Sequence, residues 1–555
     1  MIAGQAFKDN IIFNKLLLFF HTLRYLKLGQ IFQRVKRKLK KNNFDFSVPP
    51  ELSIEARNLV AVVSREQRML EYNKFKFLNV TAYIEEEADW NSPKMSKLWL
   101  YNLHYFDDLT SVNADQRTDW HHDLFTLWIN ENPPGIGNGW EPYPTSLRIV
   151  NWIKWALANN KPEDNFILSL AVQTRYLSNN LETHLLGNHL FANAKALIYG
   201  GLFFKGEEAE RWYKIGLRYI EREILEQILP DGGNFELSPM YHSIFLEDLL
   251  DLINIHHVYN KKLPDIVEKK IPYMFNWLKA MCHPDGEISF FNDSTSGVAA
   301  TFSELTSYAK RLNTPYVGEK MASYTHLKES GYIRVQKDNL VSIIDVANVG
   351  AEYIPGHGHA DTLSFELSLF GYRIIVNSGI SVYGNDEVRL QERSTAAHST
   401  VEINGNNSSE VWSGFRVARR AKVFNLVANH SKAATLITAC HDGYKRFAGT
   451  PLHCREWLFG ERSLVITDKI TGKGIHDVKS ILPLNPKVKI GDFKANKVVL
   501  DINGNKIIVS TEGGGEQNIV KSSYHPEFGL SVENNQLHFR LVGQLPIKLT
   551  TRISW

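Results

Sequence analysis

Two hydrophobic periods divide this chain. From about residue 145 to 312 apolar side chains recur three and four positions apart, the spacing of one helix face. The first such stretch carries Leu147, Val150, Ile153 and Leu157 on one side, with Thr145 or Ser146 as its expected cap. Further helices are predicted near 165–179, 185–200, 207–228, 240–258 and 267–282. Within 207–228, Leu217, Ile220, Ile224 and Ile228 form a single stripe. Asn159-Asn160-Lys161-Pro162 and Pro230-Asp231-Gly232-Gly233 break the pattern, so neighbouring helices turn back as hairpins, which stack into solenoids or toroids. After about residue 330 the period falls to two. Leu363, Phe365, Leu367 and Leu369 alternate with polar residues, and Asn503-Gly504 joins two apolar runs as a hairpin signal. Many short strands favour a sandwich. The hinge is expected at 313–330, giving a lead-in over 1–90, a helical domain over 91–325 and a strand domain over 326–555.

A length of 555 residues exceeds what one hydrophobic core usually fills, consistent with several domains. A net charge of +3 gives no case for a nucleic-acid binder. Cysteines Cys282, Cys440 and Cys454 are too sparse for a disulfide framework or a metal spacing. Buried free thiols are expected, with Cys440 and Cys454 as the only pair to consider. The apolar stretch 11–20 is too short and interrupted to span a membrane and has no convincing cleavage site, so a cytoplasmic or peripheral location is expected over secretion. The basic run Arg34, Lys36, Arg37, Lys38, Lys40, Lys41 is either a solvated helix face or a peripheral contact with an anionic membrane or polymer.

Four polar clusters carry the candidate chemistry. Pro355-Gly356-His357-Gly358-His359-Ala360-Asp361 places two imidazoles on one side of an extended segment. A second runs over 393–401 and contains Arg393 and His398. Two more lie in the helical half: Glu182-Thr183-His184-Leu185-Leu186-Gly187-Asn188-His189, and Gly233-Asn234-Phe235-Glu236 followed by Tyr241. Each alone has a structural explanation; together they supply an amide, a phenol and imidazoles from both halves.

In order and placement these clusters resemble the heparinase II/III-like polysaccharide lyases, over roughly residues 90 to 410. The resemblance implies a multidomain α+β fold, an N-terminal (α/α) toroid of helical hairpins followed by a C-terminal antiparallel β-sandwich. It implies β-elimination on a uronic-acid-containing, anionic polysaccharide: glycosaminoglycan-like, alginate-like or a bacterial exopolysaccharide. Asn188 matches the family amide that contacts the substrate carboxylate, His189 its neighbouring site histidine, Tyr241 the catalytic tyrosine and His357 the catalytic histidine. Substrate contacts are expected from Glu236, Tyr383, Arg393 and Trp140. A structural zinc is implied at His359, Asn377 and His398, weakened because Asn377 stands where the family usually has Asp, a better ligand.

β-Elimination removes the proton at C5 of a uronate and expels the oxygen at C4. Asn188 and His189 suit the growing charge on the carboxylate. Tyr241 suits the acid, and either His357 or an ionised Tyr241 the base, according to whether proton and leaving group lie on opposite faces or one. Two other readings stay open on the residues alone: a glycoside hydrolase using two of Glu182, Asp231 and Glu236, and a non-catalytic polysaccharide-binding or assembly protein.

Overall fold

The computed structural model of the chain describes residues 2–40, 43–159, 162–314, 316, 318 and 320–555. Lys41 of the basic run and Asn160 and Lys161 of the first break lie outside the described residues, as do parts of the expected hinge. Helices dominate up to Arg311 and antiparallel strands follow from Tyr324. The expected helices appear as Asp164–Asn179, Gly187–Phe203, Glu207–Gln227, Pro239–Val258 and Asp265–Ala280. The helix before them, Pro142–Asn159, starts earlier than expected. Pro142 and Pro144 fit the first turn, where no amide donor is needed, and Thr145 and Ser146 are buried inside the helix rather than capping it. Two more helices, Lys97–Tyr105 and Thr118–Glu131, precede it, and a small three-stranded sheet spans Met69 to Tyr83.

The strand half contains a five-stranded sheet over 324–375, an eight-stranded sheet and a four-stranded sheet. The first two pack face to face through Phe365, Leu367, Ile437, Trp457 and Leu500, among others. The polar positions that alternate with Phe365, Leu367 and Leu369 do not face water. Glu366 and Ser368 are fully buried and bind His283 of the helical half at 2.7 and 2.8 Å. Alternation here separates two buried faces, because the five-stranded sheet lies between the helices and the eight-stranded sheet. Trp277 and Met281 cover its helical side, packing on Tyr332, Val341 and Ile343. The Asn503-Gly504 turn joins Lys497–Ile502 to Asn505–Glu512, with both turn residues at positive φ.

The cysteine expectation needs correction. Cys440 and Cys454 face each other in register on neighbouring strands and form a disulfide; Cys282 is the buried free thiol. A period of two in a region carries no information on which strands pair or in what register.

Candidate active site

The loop 292–295, between the helical and strand halves, organises the site. Ser238 caps the helix Pro239–Val258 by accepting from the Tyr241 amide, and the same hydroxyl donates to the Asp293 carbonyl at 2.6 Å. Pro239 occupies the first turn. Tyr241, in that turn, is therefore fixed to the loop. On the strand side, the Asp293 amide donates to the His357 carbonyl and the His359 amide donates to the Asn292 side chain.

Asp293 itself is the hub. It is fully buried, and Arg389 binds both its oxygens, at 2.5 and 2.6 Å. His357 Nδ1 lies 2.8 Å from Oδ2 and His359 Nε2 2.8 Å from Oδ1. Burial works against its charge, but Arg389 and the two histidines outweigh it and hold the carboxyl well below the usual range. An ionised carboxylate only accepts hydrogen bonds, so both facing imidazole nitrogens carry protons. In the neutral ring this leaves the lone pair of His357 on Nε2.

The His357 ring lies over Tyr241 with centroids 4.0 Å apart, and the Tyr241 and Tyr383 hydroxyls are 3.0 Å apart. Burial, with Tyr383, Tyr143 and Asp293 nearby, raises the Tyr241 phenol well above its ordinary value, so it keeps its proton. Glu236 lies 3.4 Å from His357 Nε2; burial raises its carboxyl against the pull of His357 and His189.

The helix Gly187–Phe203 brings the amide. Gly187 has φ +57°, and a Cβ there would meet Glu236 Oε1 at 3.0 Å, so glycine permits the close approach. The side-chain amide of Asn188 is partly exposed and bonds to no other described side chain. His189 Nδ1 lies 3.2 Å from Glu182, which Asn193 holds through both its oxygen and its nitrogen. Burial opposes charge on His189, but Glu182 prevails and raises the imidazole. The arrangement offers an imidazole nitrogen facing Glu236, a protonated phenol, a free amide and a cation-prone imidazole.

Behind it, His359 Nδ1 and His398 Nε2 face each other at 3.1 Å. His359 donates its other nitrogen to Asp293, and His398 Nδ1 donates to the Ser394 carbonyl at 2.7 Å. Two neutral rings thus point lone pairs at one another, while burial lowers both imidazoles, His359 to about 3. A proton is disfavoured there and a metal cation would relieve the repulsion. Two ligands at about 2.0–2.1 Å from a tetrahedral zinc sit about 3.3 Å apart, close to what is observed. Asn377 is fully buried, with a side-chain nitrogen lacking a partner. Among the described residues no three His, Cys, Asp or Glu side chains converge to hold a metal, so the donors brought face to face here are the two imidazoles. Asn377 could add a third donor only through its Oδ1, which accepts from the Ser399 amide at 3.5 Å.

Residues 23–314 match the family signature described as heparinase II/III N-terminus, and residues 320–555 that described as heparinase II/III-like, C-terminal. The chain belongs to the heparinase II/III family. A heparin-sulfate lyase of Bacteroides stercoris is 27% identical over 250 residues, 41% of this chain and 37% of that one. A heparin-sulfate lyase of Pedobacter heparinus is 24% identical over 317 residues, 51% of this chain and 47% of that one. The matches therefore span less than half of either relative's own length. The fold is similar to the crystal structure of heparinase III, with a TM-score of 0.68 at 17% identity over 86% of this chain and 80% of that one.

In this heparinase II/III-like chain Asn188, His189, Glu236, Tyr241, His357 and Tyr383 surround one junction. Two expected substrate contacts do not. Trp140 is 4% exposed, donates to the Asn132 carbonyl and packs against Trp128, Phe44 and Tyr176 in the helical core. Its ring faces other rings rather than an open surface. Arg393 is fully buried, its guanidinium spent on the carbonyls of Gly358 and Gly414, and burial lowers it to about 9. It braces the His357 loop. Asp231, a hydrolase candidate, accepts from Ser330 and Gly233 as a turn residue. Asp293 and Arg389 were not read from the sequence; the polar run 292–296 after Phe290-Phe291 was the available signal.

Proposed function

We propose that this chain is a polysaccharide lyase that cleaves an anionic, uronic-acid-containing polysaccharide of the glycosaminoglycan kind by β-elimination. The carrying observation is the pairing, across the two halves, of a lone-pair imidazole nitrogen on His357 with the proton-bearing Tyr241 phenol. In this reading Asn188 and charged His189 bind the uronate carboxylate and stabilise the enolate-like charge that grows there. His357 Nε2 takes the C5 proton, and the resulting imidazolium lies between the carboxylates of Asp293 and Glu236. The C5–H electrons form the C4=C5 double bond, the C4–O bond breaks, and Tyr241 protonates the leaving oxygen. Tyr383 steadies the Tyr241 hydroxyl.

The same proposal gives His359, His398 and Asn377 a zinc ion, which would clamp the strands beneath His357 and supply no chemistry of its own. It also takes the helices between residues 91 and 325 as an (α/α) toroid and the region 326–555 as the sandwich domain, with 1–90 as lead-in. Similarity to heparinase III and the change from helix to strand between Arg311 and Tyr324 support that division.

The test offers a panel of uronate polymers to the purified chain and follows the ultraviolet absorbance of unsaturated uronate ends. Turnover is expected on at least one, and Tyr241→Phe should abolish it while polymer binding persists. Saturated products, or near-normal turnover by the variant, would overturn the assignment.

A further inference from the structure

The helix Leu28–Leu39 is mounted inside out. Its apolar residues Leu28, Ile31, Phe32, Val35 and Leu39 are spaced three and four apart, as one face. An amphipathic helix on a globular body normally buries that face. Here Leu28 is 85%, Phe32 66%, Val35 56% and Leu39 80% exposed. The opposite, polar face is the one fixed to the body. Gln30 is buried and donates to the Tyr353 carbonyl; Lys27, just before the helix, pairs with Glu226 at 2.7 Å and lies over the Tyr353 ring. Arg37 meets His184 Nε2 at 2.8 Å, and Lys40 donates to the Asn179 carbonyl. The preceding helix, Ile2–Leu23, adds exposed Phe13, Leu16, Phe20 and Leu23. Its far end is tied down by the Trp412 indole, which donates to Thr22.

Leaving nine large apolar side chains in water is costly unless something covers them. Charge identifies the cover. Between residues 10 and 44 the chain has nine Lys or Arg and no Asp or Glu. Arg34 and Lys38 flank the apolar face on one side and Lys36 on the other, all exposed. A second copy of this chain, meeting it face to face, would bring these cations against their own kind. A bilayer of anionic lipid satisfies both halves of the surface, acyl chains for the apolar stripe and headgroups for the cations. No helix among the described residues is long and apolar enough to cross a membrane, so contact is with its surface.

We infer that helices Ile2–Leu23 and Leu28–Leu39 form a docking face for an anionic lipid membrane, on which the folded chain sits peripherally. The experiment sediments the full chain with phosphatidylcholine vesicles, with or without about one third phosphatidylglycerol. Binding is expected to be at least about tenfold stronger to the anionic vesicles and to weaken with salt. The double variant Phe32→Ser, Val35→Ser should lose about tenfold or more of that binding. Both side chains are exposed, so its melting should match the parent. Equal binding by the variant, or no sedimentation with anionic vesicles, overturns the inference. Light scattering supplies the last arm: a dimer that the double variant dissolves would make a second copy the occupant, and also overturns it.

Discussion

Replacing Asp293 by Asn is the sharpest test of how the site is built, because it changes one oxygen and leaves the volume. Two separate costs follow from the geometry. Arg389 is fully buried and has both terminal nitrogens on this carboxylate, so neutralising it leaves an uncompensated guanidinium. Breaking such a pair from one side costs about 3–5 kcal/mol of stability. The second cost is catalytic. Asn offers its carbonyl oxygen to one partner and an N–H to the other; where the N–H faces His357 Nδ1, that nitrogen must give up its proton. The proton then moves to Nε2 and the base is gone. A carboxylate-to-amide change that traps an imidazole base in the wrong tautomer lowers turnover about ten-thousand-fold. The assay is the initial rate of unsaturated-uronate absorbance on the best polymer of the panel, beside a urea unfolding curve. Rates are taken under conditions where the variant is folded. Arg389→Lys is the control: it keeps a cation on Asp293, and so the His357 tautomer, but loses the fork. It should lose stability and keep most turnover. A folded Asp293→Asn enzyme working within about tenfold of the parent would refute the tautomer argument.

Three further outcomes follow from the same geometry. Asn188→Ala should lower turnover about a hundred- to a thousand-fold with a smaller change in KM, since the charge it meets grows mainly in the transition state; kcat and KM measured separately check this. Glu392 is buried, its carboxyl raised by burial to about 7 from 4.5 despite hydrogen bonds from Ser381. The folded state therefore holds the proton more tightly than the unfolded one, and stability falls as pH rises from about 4.5 through 7, by on the order of 3 kcal/mol. Glu392→Gln should flatten that slope in melting curves across the window, and an unchanged slope would discard the assignment. Elemental analysis of protein purified without chelator should find zinc, chelation should lower the melting temperature, and His398→Ala should remove both effects; metal-free protein with unaltered melting would rule the site out.

The candidate site was legible where its chemistry sits in short runs. Asn188 and His189 share one helix start, Tyr241 follows an N-cap, and His357 and His359 are two residues apart. Asp293 and Arg389 were not legible, because neither has a distinctive neighbour. Their meaning comes from contacts 64 and 96 residues distant in sequence. Trp140 and Arg393 misled for a related reason: an aromatic ring or a cation suits a sugar-binding surface and a packed interior alike, and only the fold decides. The division into helical and strand halves was plain from the two periods. The turn chemistry of Asn503-Gly504 also held, since it is local. The apolar spacing of Leu28, Ile31, Phe32, Val35 and Leu39 is local as well, but it carries no information on which way that face turns.

The position of Asp293 also sets an order of events in time. Tyr241, Asn188 and Asp293 leave the ribosome before any of the partners that complete them. His357, His359 and Arg389 emerge 64 to 96 residues later, and they hold the carboxylate only once the strand half has docked. A nascent or truncated helical half holds the proposed acid and the amide, with no imidazole base beside them. The proposed acid–base pair exists only where both halves are present, so a fragment limited to the helical half would carry the phenol and the amide without the imidazole.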